Sequence, residues 1–280
     1  MAKFLSEPST NATLGETFFF NRLETYFEKR ADVLIYYEPN IRELRPDFLM
    51  LSPRFGVMLV EVKDYSEERL KTITKSGKWE MLKKEQVKPI KNPFDQIYQY
   101  WRALKDIINF CEFPQGIEVP INRVVAFINI TKFHSIADKI KQFAPQYVHV
   151  CFSETLRRND NFEEFMNDVL PPNVQLSLKN FQVLRANIIP TSRLPIPEQR
   201  DLMEYFTPEK RIKLLDEQQE KLARELGEGH RLIFGVAGSG KTVVLIARAR
   251  HLALKHPDWK ILILCYNKLL KNHIFHILNP

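Results

Sequence analysis

Residues 45–65 read RPDFLMLSPRFGVMLVEVKDY, and the reading of this stretch decides the fold. Two β-rich runs, DFLML at 47–51 and GVMLVEVK at 56–63, flank SPRFG, where Pro53 and Gly56 supply the bend of a hairpin. Asp47 opens the first strand. Glu61 and Lys63 sit two apart on the second, so alternation puts both side chains on one face. The hairpin brings Asp47 near Glu61. Two carboxylates close together are costly unless a cation holds them, and hard oxygen ligands suit Mg²⁺ or Mn²⁺. A lysine beside them can orient or help deprotonate a water and balance charge on a phosphorane-like transition state. A metal would polarise a phosphodiester and lower the pKa of its bound water. Spacing alone fits three solvated charges equally well, because D…ExK recurs by chance. The apolar run around Glu61 and Lys63 argues for the site, since buried charges are rare unless paired or metal-bound.

The flanks extend the pattern. LGETFFFNRLETYFEKR (14–30) has Phe19, Leu23 and Phe27 at about one helical turn, and predicts a helix. VLIYY (33–37) predicts a strand. A second helix starts near Asn92–Pro93 and runs through DQIYQYWRALKDIINF, with proline favoured in the first turn. RVVAFINI (123–130) and YVHVCF (147–152) read as strands, and NFEEFMNDVL as a third helix. Residues 183–200 carry Pro190, Pro195 and Pro197 without periodicity, which predicts a linker. The expected domains are 1–185, a linker at 186–206, and 207–280.

The chain has 280 residues, 44% hydrophobic and 27% charged, within the ordinary globular range. A net charge of +7 and an isoelectric point near 9.2 point to a polyanion partner, nucleic acid first, with solubility as the plainer reading. Cys111, Cys151 and Cys265 lie far apart without CxxC spacing, which fits a reducing cytoplasm. The N-terminus has no apolar signal core, and no apolar run reaches membrane length.

The stretch from Leu14 to about Leu104 resembles the nuclease-related domain, a branch of the PD-(D/E)xK nuclease superfamily. The residues that carry the likeness are LGE with Glu16, Asp47, the glycine-led strand GVMLVEVK, and NPFDQIYQYWRAL with Gln96. The resemblance implies a mixed sheet flanked by helices. It implies metal held by Asp47 and Glu61, a catalytic Lys63, a first-helix Glu16 completing the site, and a contributing Gln96. For Glu16 and Gln96 a plain helix-surface role stands beside the catalytic one. The family pattern leads one to expect a glycine-containing turn after Lys63. This chain has DYSEERLKTIT there, a longer and more charged loop.

A second motif, GVAGSGKT (235–242), fits GxxxxGK[ST], with strand-like RLIFG before it and the apolar helix TVVLIARARHLALKH after it. Gly235, Gly238, Ser239 and Gly240 would curl backbone N–H groups around phosphates at a helix N-terminus. Lys241 would reach the outer phosphates of ATP, and Thr242 would ligate Mg²⁺. A plain glycine turn is the alternative. Thr207–Pro208 is expected to open a helix, RIKLLDEQQEKLAREL. Its LLDEQQEKL resembles the Q motif of UvrD/Rep-type superfamily 1 helicases, with Gln218 the best match for the adenine contact and Gln219 next. KILILCYNKLL (260–270) resembles their motif Ia, a strand ending at a DNA-contacting loop with Asn267 and Lys268. A working motor also needs an acidic strand end and an arginine from a second lobe, and neither fits in HIFHILNP. The expectation is therefore the front part of a longer nuclease–helicase, with little ATP hydrolysis of its own.

The sequence thus predicts an α/β chain: a PD-(D/E)xK nuclease-like unit, then a partial RecA-like P-loop domain. The expected partners are DNA, with RNA left open, and a nucleotide. By analogy alone the setting would be DNA repair or defence against foreign DNA. The rival is a non-catalytic nucleic-acid-binding module attached to an ATP-dependent helicase.

Overall fold

The computed structural model describes residues 2–8, 11–28, 30, 32–74, 77–111, 113, 117–170, 174–189, 193–195, 212–215, 217–227, 229–236 and 239–278. The chain divides into two compact units, Met1–Leu184 and Arg185–Pro280.

The first unit is built on a six-stranded mixed sheet. Its strands are β1 (Lys3–Phe4), β2 (Leu34–Tyr37), β3 (Phe48–Ser52), β4 (Gly56–Ser66), β8 (Ile121–Asn129) and β9 (His149–Cys151), in the order β1-β2-β3-β4-β8-β9. The β3–β4 hairpin is antiparallel, with Phe48 opposite Val60 and Ser52 opposite Gly56. Gly56 has φ +77°, and a Cβ there would lie 2.6 Å from the Pro120 carbonyl, so the bend requires glycine. β4 then pairs in parallel with β8, and β8 with β9. This puts β4 in the middle of the sheet, where strands are buried on both faces.

Helix α1 (Leu14–Phe27) starts with a capping box: Glu16 N–H donates to Thr13 Oγ1 at 3.2 Å, and Thr13 N–H to Glu16 Oε2 at 3.1 Å. Its buried face, with Phe19, Leu23 and Phe27, shares a core with Met58, Val60 and Val62 of β4. Those are the even-numbered residues of β4. Pleating therefore sends Glu61 and Lys63 to the opposite face, which α2 (Pro93–Asn109) approaches. Asn92 caps α2 through Phe94 N–H at 3.0 Å, with proline in the first turn. Gly15 touches this frame closely. Its N–H donates to Asp64 Oδ2 at 3.1 Å, and a Cβ there would lie 1.9 Å from Asp64 Oδ1.

Three parts of the first unit differ from the sequence expectation. The charged loop after Lys63 is not a loop: β4 continues to Ser66, and a separate antiparallel sheet follows, β5 (Leu70–Ile73), β6 (Trp79–Lys83) and β7 (Gln86–Ile90). Its alternation is masked by lysines on exposed strands, so periodicity misses it. Helix α3 (Ser135–Phe143) and the short α4 (Ser153–Arg157) precede the anticipated α5 (Asn159–Val169). Helix α6 (Leu178–Ile188) runs into the residues that the sequence predicts as linker.

The second unit is α-rich where described. β10 (Arg193–Pro195) pairs with β11 (Ile212–Leu214), inside the expected linker and the expected helix. That helix is only α7 (Glu217–Glu225), and Thr207 and Pro208 lie outside the described residues. α8 (Lys241–Lys255) packs against α7, and α9 (Lys268–Leu278) contributes Ile274 and Ile277 to the same core. The expected strands RLIFG and KILILCY are not formed: residues 231–236 and 260–265 pair with no described residue as strands, and Leu232, Phe234, Leu262 and Leu264 are each about four-fifths exposed. A parallel strand is stable only with neighbours on its edges and layers on its faces. Among the described residues no such layer covers these segments, and the RecA-like sheet anticipated from sequence is absent.

No helix of the described residues is long and apolar enough to cross a membrane.

Candidate active site

Because Phe48 pairs with Val60, Asp47 falls opposite Glu61 at the open end of the hairpin. Asp47 Oδ2 accepts from the Val62 N–H at 2.5 Å, which fixes its rotamer. Glu61 is almost fully buried, and Lys63 Nζ donates to its Oε1 at 2.5 Å. Among the described residues the other carboxylate oxygen, Glu61 Oε2, is buried without a hydrogen-bond partner of ordinary geometry, although the Tyr100 phenol is close enough to favour the Glu61 charge. An orphaned charged oxygen in the middle of a sheet is expensive, by several kcal/mol on the general scale of buried charges.

The electrostatics follow from this burial. Desolvation pushes the Asp47 carboxyl up to about 8, with the Glu61 charge adding to the rise and the Val62 N–H and Lys63 opposing it. Burial likewise raises Glu61, against the pull of Lys63. Burial would lower the Lys63 ammonium, but Glu61 outweighs it and the net direction is up, which keeps Lys63 charged.

The two helices supply the rest. Glu16 Oε2 accepts from the Tyr37 hydroxyl at 2.7 Å and from its own helix cap. Its charge is felt at both Asp47 and Glu61. Gln96 is half-buried, one helical turn before Tyr100, and the Tyr100 phenol sits beside both Gln96 and Glu61. Desolvation, and then the Glu61 charge, raise the Tyr100 phenol, so it stays protonated. Tyr100 and Tyr37 were not singled out from sequence. For Tyr100 the signal was present: it lies four residues after Gln96, on the same helix face.

Could these residues hold a divalent metal? Among the described residues no three His, Cys, Asp or Glu side chains gather as a metal cluster. Two facing carboxylates with raised pKa and one unsatisfied buried oxygen nevertheless fit a hard cation, which would satisfy Glu61 Oε2 and lift the desolvation cost. Asp47 and Glu61 are the residues that would hold it.

In the second unit, Lys241 Nζ donates to the carbonyls of Gly235 and Val236, each at 2.8 Å. Gly240 precedes α8 with φ +84°, and Ser239 Oγ lies 2.6 Å from where a Cβ on Gly235 would be. Thr242 sits in the first turn of α8. Gly238 lies outside the described residues, and so does the side chain of Gln218, whose backbone is in α7. The neighbouring Gln219 does meet the loop: its Nε2 lies 2.4 Å from where a Cβ on Gly240 would be. Asn267 caps α9, its Oδ1 accepting from Leu270 N–H at 3.2 Å, with Lys268 as the first helical residue.

No curated protein and no solved structure matches this chain. The segment running from the start of α1 through β8, residues 12–128, which carries Glu16, Asp47, Glu61, Lys63 and Gln96, matches the family model of the nuclease-related domain.

Proposed function

We propose that this chain is a metal-dependent nuclease that cleaves DNA phosphodiester bonds. The observation that carries the reading is the buried Glu61 carboxylate, with one oxygen on Lys63 and the other without a partner of ordinary geometry among the described residues, facing Asp47 across the hairpin. A Mg²⁺ or Mn²⁺ ion bound by Asp47 and Glu61 would supply Lewis-acid polarisation of the scissile phosphate. The chain's own residues do the rest. Val62 N–H holds Asp47 in place, and Tyr100 with Gln96 flanks Glu61. Lys63 stays an ammonium, so it acts as a cation that balances charge on the phosphorane and orients a water, and not as a base. The apolar neighbours of β4 exclude bulk water and strengthen each of these interactions. Glu16, held by Tyr37, adds negative potential that favours cation capture.

The second unit, in this reading, binds a nucleotide at GVAGSGKT, in the manner of superfamily 1 helicases. Lys241 already projects over the loop carbonyls, and Gln219 lies against the loop at Gly240.

The test is cleavage of plasmid DNA with Mg²⁺. Glu61→Ala should abolish it. Lys63→Ala should also remove cleavage but leave DNA affinity nearly intact, because one lysine is a small share of a basic footprint. Cleavage that persists in Glu61→Ala or in excess EDTA refutes the reading.

A further inference from the structure

The small β5–β6–β7 sheet is not used by the proposed chemistry, and its charge is lopsided. Between Arg69 and Lys91 the chain has eight Lys and Arg against two carboxylates, Glu80 and Glu85, a net +6 within a chain of net +7. Lys71, Lys78, Lys83, Lys84, Lys88 and Lys91 are exposed. Of these, Lys78 is paired with Glu80 at 2.7 Å.

The sheet is bolted beside the site. Trp79 is buried, in T-shaped contact with Phe94 of α2 at 5.8 Å and stacked on Phe127 of β8 at 6.0 Å. Phe127 is the register partner of Lys63. At the entry to the sheet, Glu67 accepts from both the N–H and the hydroxyl of Thr131, at 2.7 and 2.6 Å. Strand alternation puts Met81 and Lys83 on the Trp79 face, and Lys88 joins them as the partner of Met81. Lys83 lies four residues along from Trp79, about 13 Å at 3.3 Å per residue.

The tip of the hairpin has an unusual backbone. Lys84 and Glu85 form the two-residue turn between Lys83 and Gln86, with φ of 46° and 65°. That left-handed geometry suits Asn-Gly, and Lys-Glu bears a steric cost in it. Strain kept at an exposed cationic tip points towards a use for the side chain.

We propose that the β5–β7 sheet is a docking wing for the phosphate backbone of double-stranded DNA entering the Asp47–Glu61–Lys63 site, through Lys83, Lys84 and Lys88. Lysines present mobile point charges that suit phosphates and read no bases. The wing has one aromatic residue, Trp79, and it is buried, so the exposed surface offers no stacking platform for a single strand. This inference rests on the nuclease reading above.

The experiment compares wild type with the triple variant Lys83→Gln, Lys84→Gln, Lys88→Gln, using a fluorescent 30-base-pair DNA duplex in EDTA across a salt series. All three side chains are exposed, so circular dichroism should match wild type. The expected result is affinity about 10- to 100-fold weaker at 150 mM salt, and a log–log salt slope shallower by about 2 to 3. The control triple Lys3→Gln, Arg157→Gln, Lys179→Gln removes the same charge from elsewhere in the first unit and should keep both. Equal loss in the control would mean net charge and not a wing, and overturns the proposal. If wild type cleaves DNA through Glu61 but the wing triple binds as wild type does, the wing alone is refuted. If wild type neither binds nor cleaves the duplex, the nuclease reading and the wing fall together. A wing triple that loses single-stranded DNA as strongly as duplex also overturns the assignment of the partner.

Discussion

Replacing Asp47 by Asn should make the metal-free protein more stable at pH 8 and no more stable at pH 4. The Asp47 carboxyl moves from its ordinary 3.8 to about 8 because folding strips its water and sets it opposite Glu61. Its folded pKa is above the unfolded one, so the unfolded state binds fewer protons between those values. Stability is then complete below about pH 4, declines as pH rises, and reaches its floor above about pH 8. At 1.36 kcal/mol per pH unit the ceiling is about 6 kcal/mol. Solvent reaches part of the side chain, and screening brings the expected effect to about 2 to 3 kcal/mol. Asn keeps the acceptor for the Val62 N–H and removes the charge, so Asp47→Asn should recover most of this at pH 8. The assay is native-state hydrogen exchange of the β3–β4 amides in EDTA at pH 4 and pH 8, which reports the first unit by itself. Added Mn²⁺ should reverse the ranking, stabilising wild type by mass action and leaving Asp47→Asn unchanged. Asp47→Asn less stable than wild type at both pH values would show that the hydrogen bond and not the buried charge dominates the site, and an equal response to Mn²⁺ would show that Asp47 does not hold the metal.

Two further outcomes are expected. Gly15→Ala forces a Cβ to within 1.9 Å of Asp64 Oδ1 and 2.9 Å of Ile128 Cγ1, so it should cost about 1 to 3 kcal/mol and lower the melting temperature. Adding Asp64→Ala should restore part of that loss, and no restoration would place the strain at Ile128. Lys241→Ala should abolish Mg²⁺-ADP binding by calorimetry while plasmid cleavage stays at the wild-type rate; a fall in cleavage would couple the loop to the nuclease site.

How far each feature could be read without coordinates follows from how local its cause is. The β3–β4 hairpin, α1 and α2 were legible because their signals are short-range: alternation, Phe19, Leu23 and Phe27 at one helical turn, Pro93 in the first turn, and a bend at Pro53–Gly56. The carboxylate pair was legible for the same reason, since a tight hairpin sets its own register. The β5–β7 sheet escaped because exposed strands carry lysine on both faces, and only Trp79 reports what they pack on. Strand propensity misled at RLIFG and KILILCY, whose apolar character demands neighbours that no described residue provides.

The sequence by itself determined the hairpin that sets Asp47 opposite Glu61, the helices on either side, and the glycine loop ahead of α8. Each is closed by contacts within a few residues. Only the tertiary structure decided that Glu61 keeps one buried oxygen without a partner of ordinary geometry among the described residues, that Tyr100 and Tyr37 flank the carboxylates, and that a cationic sheet is anchored beside Lys63 through Trp79 and Phe127. Burial and pKa depend on which strands lie next to β4, and that is settled by side chains as far apart in the chain as Phe19 and Phe162 packing in the same core.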